Sequence, residues 1–217
     1  MKCVRKAFLF AACLITSHAG AAVHQFSFSA ILTGADSALQ SFYTAGTTID
    51  GTFKIDDAIE GVYSPSPNGL GVRRYHGNYS GTLQVGANTI TFADSYSYVY
   101  NANAGITYLT MVGGNAALTG GTISETQAPG SFAIGGFEIQ LFYPFAISPD
   151  MPIHEILSGY PVPQGSVYLD YGNHRFLNGV RGDLTALDAA PVPEPHGGML
   201  TGLALLGLVA ARKRVHG

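Results

Sequence analysis

Three acidic side chains gathered in one short segment are the first candidate for chemistry. Asp56, Asp57 and Glu60 directly follow an alternating segment that ends at Ile55, where a strand gives way to a turn. Carboxylate oxygens clustered in a loop suit Ca²⁺, although the order of these three does not match an EF-hand loop. The segment therefore predicts either a weak calcium site, the one cofactor considered for this chain, or a solvated acidic turn.

Tyrosines recur at every second position in a later segment. Tyr96, Tyr98 and Tyr100 alternate in SYSYVYN, so in a strand all three side chains lie on one face. Such a row can stack on sugars if it is exposed, or form cross-strand packing pairs. The chain contains no Trp, the strongest sugar-stacking residue, which weakens the glycan interpretation without removing it.

Sequence motifs for hydrolytic catalysis begin but are not completed. His154-Glu155 opens like a zinc-protease helix, but Ser158 occupies the position of the second histidine. The segment 77–81, GNYSG, places its serine one position later than a nucleophile elbow requires. Neither segment predicts a catalytic site.

An acid pair is the remaining route to an enzyme. Glu138 and Asp170 would suit a glycoside hydrolase if their carboxyl groups lay roughly 5–10 Å apart, a separation that sequence does not give. His24, His76 and His174 show no spacing typical of metal ligands, which favours surface or loop histidines. We therefore predict no catalytic residues and no metal ligands beyond the acidic turn, with a hydrolase as the least favoured alternative.

The elements that position these residues are predicted to be strands. Charged residues make up only 12% of the chain, whereas 28 glycines, 12 tyrosines and 12 phenylalanines are typical of strands joined by tight turns. Alternation of apolar and polar residues, or a short apolar run, indicates each strand. These signals lie at 23–33, 47–55, 75–85, 89–93, 95–100, 106–112, 132–143, 167–170 and 180–187.

The strand pattern predicts an all-β fold, a single β-sandwich of the jelly-roll type over residues 22–189. Gly135-Gly136 predicts a bulge inside the strand at 132–143. The segment 144–165 carries five prolines and predicts an ordered loop, with at most a helical turn around His154–Leu157.

Charge is distributed unevenly along the chain. The net charge of −3 includes basic clusters at both ends, and between residues 22 and 195 five basic side chains face fourteen acidic ones. An acidic body repels nucleic acid and anionic membrane surfaces. Nucleic acid is therefore excluded as a partner, whereas divalent cations and neutral glycans are compatible.

The N-terminus, residues 1–21, has the order of a cleavable signal peptide. Basic residues precede an apolar run at 7–15, and small residues follow at Ala19, Ala21 and Ala22. Cys3 and Cys13 are the only cysteines and both fall inside this segment. The exported domain is therefore expected to fold without disulfides, through core packing, sheet hydrogen bonds or bound ions.

The C-terminal segment, residues 190–217, combines three features. Val192-Pro193-Glu194-Pro195 precedes fifteen uncharged residues at 197–211, and Arg212-Lys213-Arg214 follows. As a helix the uncharged run would reach about 22 Å, short of a hydrocarbon core of about 30 Å. The prolines keep the preceding segment extended, and the basic cluster favours the cytoplasmic side. We predict a short transmembrane helix behind an exposed peptide.

At these residues the chain resembles the PEP-CTERM family of bacterial exported proteins. The matching pieces are Val192–Pro195, the Leu/Gly-rich run at 200–208 and the basic cluster at 212–214, and the departure is His196-Gly197-Gly198 after the motif. The resemblance implies recognition and cleavage by an exosortase, a membrane-embedded cysteine transpeptidase-like enzyme, in a Gram-negative host that often makes exopolysaccharide. It covers little beyond residues 191–214 and implies sorting, not an activity.

The whole sequence thus predicts an exported, non-catalytic protein of the cell envelope or extracellular matrix, with a structural or biofilm-associated role. A secreted carbohydrate-binding module is the alternative. Expected partners are signal peptidase and the general secretion machinery, the exosortase, the inner membrane transiently, and exopolysaccharide. We expect anchoring by the C-terminal helix before processing, and a cell-surface or extracellular location after it.

Overall fold

The computed structural model describes residues 23–65, 71–102, 105–114, 121–161, 164–172 and 179–189. The predicted signal peptide and sorting tail lie outside these residues. Ten strands and one helix occupy the described part of the chain: β1 (Val23–Ala35), β2 (Thr48–Asp56), β3 (Val62–Pro65), β4 (Gly71–Val85), β5 (Asn88–Ala102), β6 (Ile106–Gly114), β7 (Thr122–Glu125), β8 (Ile134–Tyr143), α1 (Ile153–Gly159), β9 (Gln164–Tyr171) and β10 (Gly179–Ala189). The all-β prediction is confirmed.

The strands form one sheet that closes on itself. Antiparallel pairing runs in the order β4, β2, β1, β10, β9, β8, β6 and β5, and β5 returns to β4. The short strands β3 and β7 extend the sheet from β4 and β5 respectively. The predicted sandwich is therefore wrong, because a sandwich needs two separate sheets and this sheet is an eight-stranded closed barrel.

The length of β4 and β5 explains the closure. Both strands have 15 residues, and their register shifts around Tyr79 and Gly81, so one hairpin pairs with different neighbours along its length. The sequence pattern predicted a strand boundary at Asp94, which instead lies inside β5 with φ of 49°. A left-handed residue of this kind bends a strand without ending its pairing. The local sequence pattern therefore predicted a turn at Asp94, where the strand bends and continues.

The interior of the barrel is filled by side chains. Inward positions alternate along each strand, as in β1, where Phe26, Phe28, Ala30 and Leu32 are buried. Aromatic rings meet at its centre, with Phe53 contacting Phe26, Phe28 and Tyr79. The barrel thus encloses a packed core and places binding surfaces at its ends and on its outer face.

Hydrogen bonds hold the connection that follows β8 against a neighbouring hairpin, in agreement with the ordered loop predicted there. The Thr107 hydroxyl accepts a hydrogen bond from the Ile147 backbone N–H at 2.8 Å, and Asn101 Nδ2 donates to the Ile147 carbonyl at 2.9 Å. These bonds tie the loop to the β5–β6 hairpin. The loop then enters α1, which packs Ile153, Ile156 and Leu157 into the core. Helical structure lies where a single turn at most was predicted, and it extends further, over the seven residues of α1.

A bulge at the glycine pair of β8 is also confirmed. The pairing of β8 with β9 shifts register between Ile134 and Gly136.

Within the part of the chain that the structure describes, no helix is long and apolar enough to cross a membrane.

Candidate functional site

Two histidines and one aspartate meet at one end of the barrel. His24 Nε2 lies 2.8 Å from Asp57 Oδ2, and His154 Nδ1 lies 2.6 Å from the same oxygen. The two imidazole rings stack in parallel, with centroids 3.9 Å apart and planes inclined by 3°. The three donor atoms all lie within 4.8 Å of one another and the side chains are half-buried. We call this group the His–Asp–His cluster.

Three different elements position the cluster. His24 is the second residue of β1 and faces Ile55 across the β1–β2 ladder. Because β2 ends at Asp56, the next residue, Asp57, turns back beside the start of β1. His154 lies in the first turn of α1, whose apolar face is fixed in the core. The β1–β2 register therefore fixes the positions of His24 and Asp57, and the packing of α1 fixes the position of His154.

A cleft of about 350 Å³ opens beside the cluster. Its lining includes the cluster residues Asp57 and His154 together with Arg73, Tyr75 and Asp150. Arg73 forms an ion pair with Asp150 and donates from Nη1 to the Gly61 carbonyl at 3.2 Å. The ion pair links β4 to the loop that leads into α1, and so supports the position of the helix.

Charge in the cleft is mixed. Arg73 is the cation, and its Nε is buried with no hydrogen-bond partner among the residues that the structure describes. Burial raises the pKa of Tyr75; Arg73 opposes that rise, and Asp57 and Asp150 add to it. The phenol therefore stays a neutral hydrogen-bonding group at physiological pH.

The acidic turn predicted as a calcium site is divided in the structure. The Asp56 carboxylate accepts a hydrogen bond from the Ala58 N–H at 2.8 Å, and Asp57 contacts the two histidines. Glu60 is exposed and lines the cleft. Of the three acids, Asp57 alone joins the ligand-distance cluster found among the described residues. The calcium site stays a prediction, and a different donor set forms around Asp57.

The tyrosine row lies on the outer face of the barrel. Tyr96, Tyr98 and Tyr100 are each half-buried, while the alternate residues Ser95, Ser97 and Val99 are buried inside. The shared face predicted from the sequence is confirmed. Burial raises the pKa of Tyr96, with its neighbour Arg74 acting in the opposite direction.

The row continues across neighbouring strands. Tyr100 stacks on Tyr108 of β6 at 6.4 Å between centroids, and Tyr108 meets the edge of Phe142 of β8 at 5.4 Å. Phe142 in turn lines a shallow groove of about 390 Å³. The polar side chains of this groove come from β8, β9 and β10: Gln140, Gln164, Ser166, Arg181 and Asp183. Aromatic rings thus adjoin planar amides and charges on one surface.

The acid pair considered for a hydrolase also faces outward. Glu138 pairs with Tyr168 and Asp170 pairs with Gly136, so the two acids occupy diagonal positions on β8 and β9. Diagonal positions across antiparallel strands are typically about 7–8 Å apart. Both acids are half-buried side chains of the sheet surface.

Among the described residues, one further histidine lies outside the cluster. His76 is exposed on β4 and packs against Tyr96 at 4.8 Å between ring centroids. His174 lies outside the described residues, as do the sorting motif Val192–Pro195 and the basic end Arg212–Arg214. His24 is the residue that sequence reasoning missed, because no spacing rule connects it to Asp57 or His154. The one local signal was the incomplete His154-Glu155 motif.

Comparison with protein-family profiles, with curated proteins and with solved structures found no match to this chain.

Proposed function

We propose that this is an exported, non-catalytic protein of a Gram-negative cell envelope or extracellular matrix, sorted and cleaved by an exosortase. One observation carries the proposal: Pro-Glu-Pro, a short apolar run and a basic cluster follow one another in residues 191–214. That order resembles the PEP-CTERM sorting signal. An N-terminal segment with the order of a signal peptide agrees with it, since both lead out of the cytoplasm.

The body suits an extracellular setting. Both cysteines precede residue 22, so the domain from β1 to β10 needs no disulfide and is insensitive to the redox state of its compartment. Among the described strands, closure of the sheet leaves only the short strands β3 and β7 as edges, which limits edge-to-edge aggregation. A stable, acidic, disulfide-free scaffold is a suitable cargo for a matrix.

Processing at the tail predicts the loss of a C-terminal epitope. In a host with the exosortase, a tag placed after Gly217 is expected to be absent from the exported protein, because cleavage near Pro193–Pro195 removes everything behind it. Immunoblotting with antibodies against the tag and against the body measures this directly.

The matched control replaces Val192–Pro195 with four alanines and keeps the apolar run and the basic cluster. This variant is expected to retain the tag in the membrane fraction, as is the wild type in a host without the exosortase. A wild-type tag that persists in the exosortase-positive host contradicts the processing proposal.

A carbohydrate-binding role is the second candidate, and the outer aromatic surface favours it. The tyrosine row, Tyr108 and Phe142 adjoin a groove with amide and charged side chains. Rings that stack on sugar faces beside planar hydrogen-bonding groups are the common composition of glycan sites. The acidic body makes a neutral polysaccharide the favoured ligand class.

Replacing Tyr96, Tyr98 and Tyr100 together by alanine is expected to reduce retention on host exopolysaccharide at least tenfold, because the stacking surface is removed. Co-sedimentation with purified polysaccharide and a glycan array measure the loss. Tyr63→Ala is the matched control, since Tyr63 is an exposed tyrosine on β3, outside the row. A correctly folded triple variant with unchanged retention would end this hypothesis.

A further inference from the structure

We propose that the His–Asp–His cluster is a binding site for a divalent first-row transition metal, with Zn²⁺ as the reference ion. His24 Nε2, His154 Nδ1 and Asp57 Oδ2 are the ligand atoms. The proposal is independent of export and sorting, and its donor set shares only Asp57 with the acidic turn considered for calcium.

The donor chemistry selects the class of metal. Two imidazole nitrogens and one carboxylate oxygen suit Zn²⁺, Fe²⁺, Ni²⁺ or Cu²⁺, whereas Ca²⁺ and Mg²⁺ prefer oxygen ligands throughout. Two histidines with one carboxylate are a recurrent three-ligand set in zinc and non-haem iron sites. His24, His154 and Asp57 supply this set without a further residue.

The contacts around Asp57 Oδ2 are shorter than the separation between the ligands of one zinc ion. Both nitrogens lie within 2.8 Å of the oxygen, whereas ligands of a tetrahedral zinc ion are separated by about 3.4 Å. His154 Nδ1 is buried and makes no hydrogen bond of normal geometry to a described residue. An ion between the three donors would replace its close contact with Asp57 Oδ2 by a bond to the metal.

Metal entry requires movement of the two rings and of the carboxylate. The lone pair of an imidazole nitrogen lies in the ring plane, so the parallel rings of His24 and His154 must tilt apart to aim at one ion. The Asp57 oxygen, now 2.8 Å and 2.6 Å from the two nitrogens, must move to about 3.4 Å from each. Asp57 follows the end of β2 and lies outside the β1–β2 ladder. A half-buried side chain in a turn makes such an adjustment by rotation about its own bonds.

The neighbouring cleft leaves the site open on one side. Asp57 and His154 both line it, and Arg73 lies on the same lining. A three-ligand site with an accessible face keeps at least one coordination position for water or another small ligand. We therefore infer an open site, not a fully enclosed structural one.

Isothermal titration calorimetry, in which Zn²⁺ is added to the metal-stripped, full-length protein, tests the site by the number of equivalents bound. The wild type is expected to bind one equivalent more than His24→Ala, Asp57→Asn or His154→Ala, and to gain thermal stability from that equivalent. Comparing equivalents separates this site from other histidines and cysteines of the chain. Glu60→Gln and His76→Ala are the controls, and both are expected to bind like the wild type.

A second measurement needs no substitution. Co²⁺ added to the wild-type protein is expected to broaden the ring resonances of His24 and His154 in the NMR spectrum before that of His76. Equal Zn²⁺ stoichiometry in the wild type and the three ligand variants, or broadening that spares His24 and His154, would overturn the proposal. The cluster would then be a hydrogen-bonded junction between β1, β2 and α1. Binding retained in His24→Ala and His154→Ala but lost in Asp57→Asn and Glu60→Gln would overturn it in favour of the acidic turn.

Discussion

Phe53→Ala is expected to lower the free energy of unfolding by about 3–5 kcal/mol. Phe53 is fully buried, and its ring lies 5.3 Å from Phe26 and 5.3 Å from Tyr79 between centroids. Removing the ring forfeits its transfer free energy and leaves a cavity that surrounding strands cannot fill, since the closed sheet restrains their approach. Urea denaturation followed by circular dichroism measures the change.

Phe42→Ala is the matched control for this substitution. Phe42 is 52% exposed and lies in the β1–β2 connection. Its removal is expected to cost less than about 1 kcal/mol. Equal losses in the two variants would contradict the packed aromatic centre.

Gly81→Ala is expected to destabilise the barrel by about 3 kcal/mol, the upper end of the usual cost of overpacking. A Cβ at Gly81 would lie 2.2 Å from the Thr52 carbonyl oxygen and 2.8 Å from the Phe53 Cα. Both atoms are backbone, so a side-chain rotation does not relieve the contact. β4 would have to move away from β2 at the point where its register with β5 shifts.

Gly34→Ala provides the comparison at a glycine of similar backbone character. Gly34 also lies in a strand beside a register shift, but a Cβ there meets no atom within 4 Å. A change within about 0.5 kcal/mol is expected at this position. Thermal melts of both variants distinguish a steric clash at Gly81 from a general effect of replacing glycine in a strand. Similar melting temperatures for the two variants would contradict the clash at Gly81.

Local patterns were sufficient for much of the fold. Alternation in residues 23–33 and 47–55 predicted β1 and β2, and the tyrosine row was assigned to one face because side chains in a strand alternate. Gly135-Gly136 marked the bulge in β8. These features depend on the geometry of neighbouring residues along one strand, which the sequence contains.

The pairing between strands that are distant in the chain could not be predicted from these local patterns. Alternation states that one face of each strand is buried, and both a sandwich and a closed barrel satisfy that condition. The difference lies in whether β4 and β5 pair with one another while also meeting β2 and β6. The register shift beside Gly81 and the left-handed residue Asp94 accompany this pairing, and in the sequence such irregularities resemble turns.

The sequence by itself determined the all-β class, the positions of most strands, the common face of Tyr96, Tyr98 and Tyr100, and the order of features in the tail on which the sorting proposal depends. Only the tertiary structure decided that the sheet closes and that His24 and His154 meet at Asp57. The physical reason is the distance along the chain between the residues that interact. Strand patterns and sorting peptides depend on adjacent residues, whereas a three-donor cluster depends on the β1–β2 register and on the packing of α1 against the core.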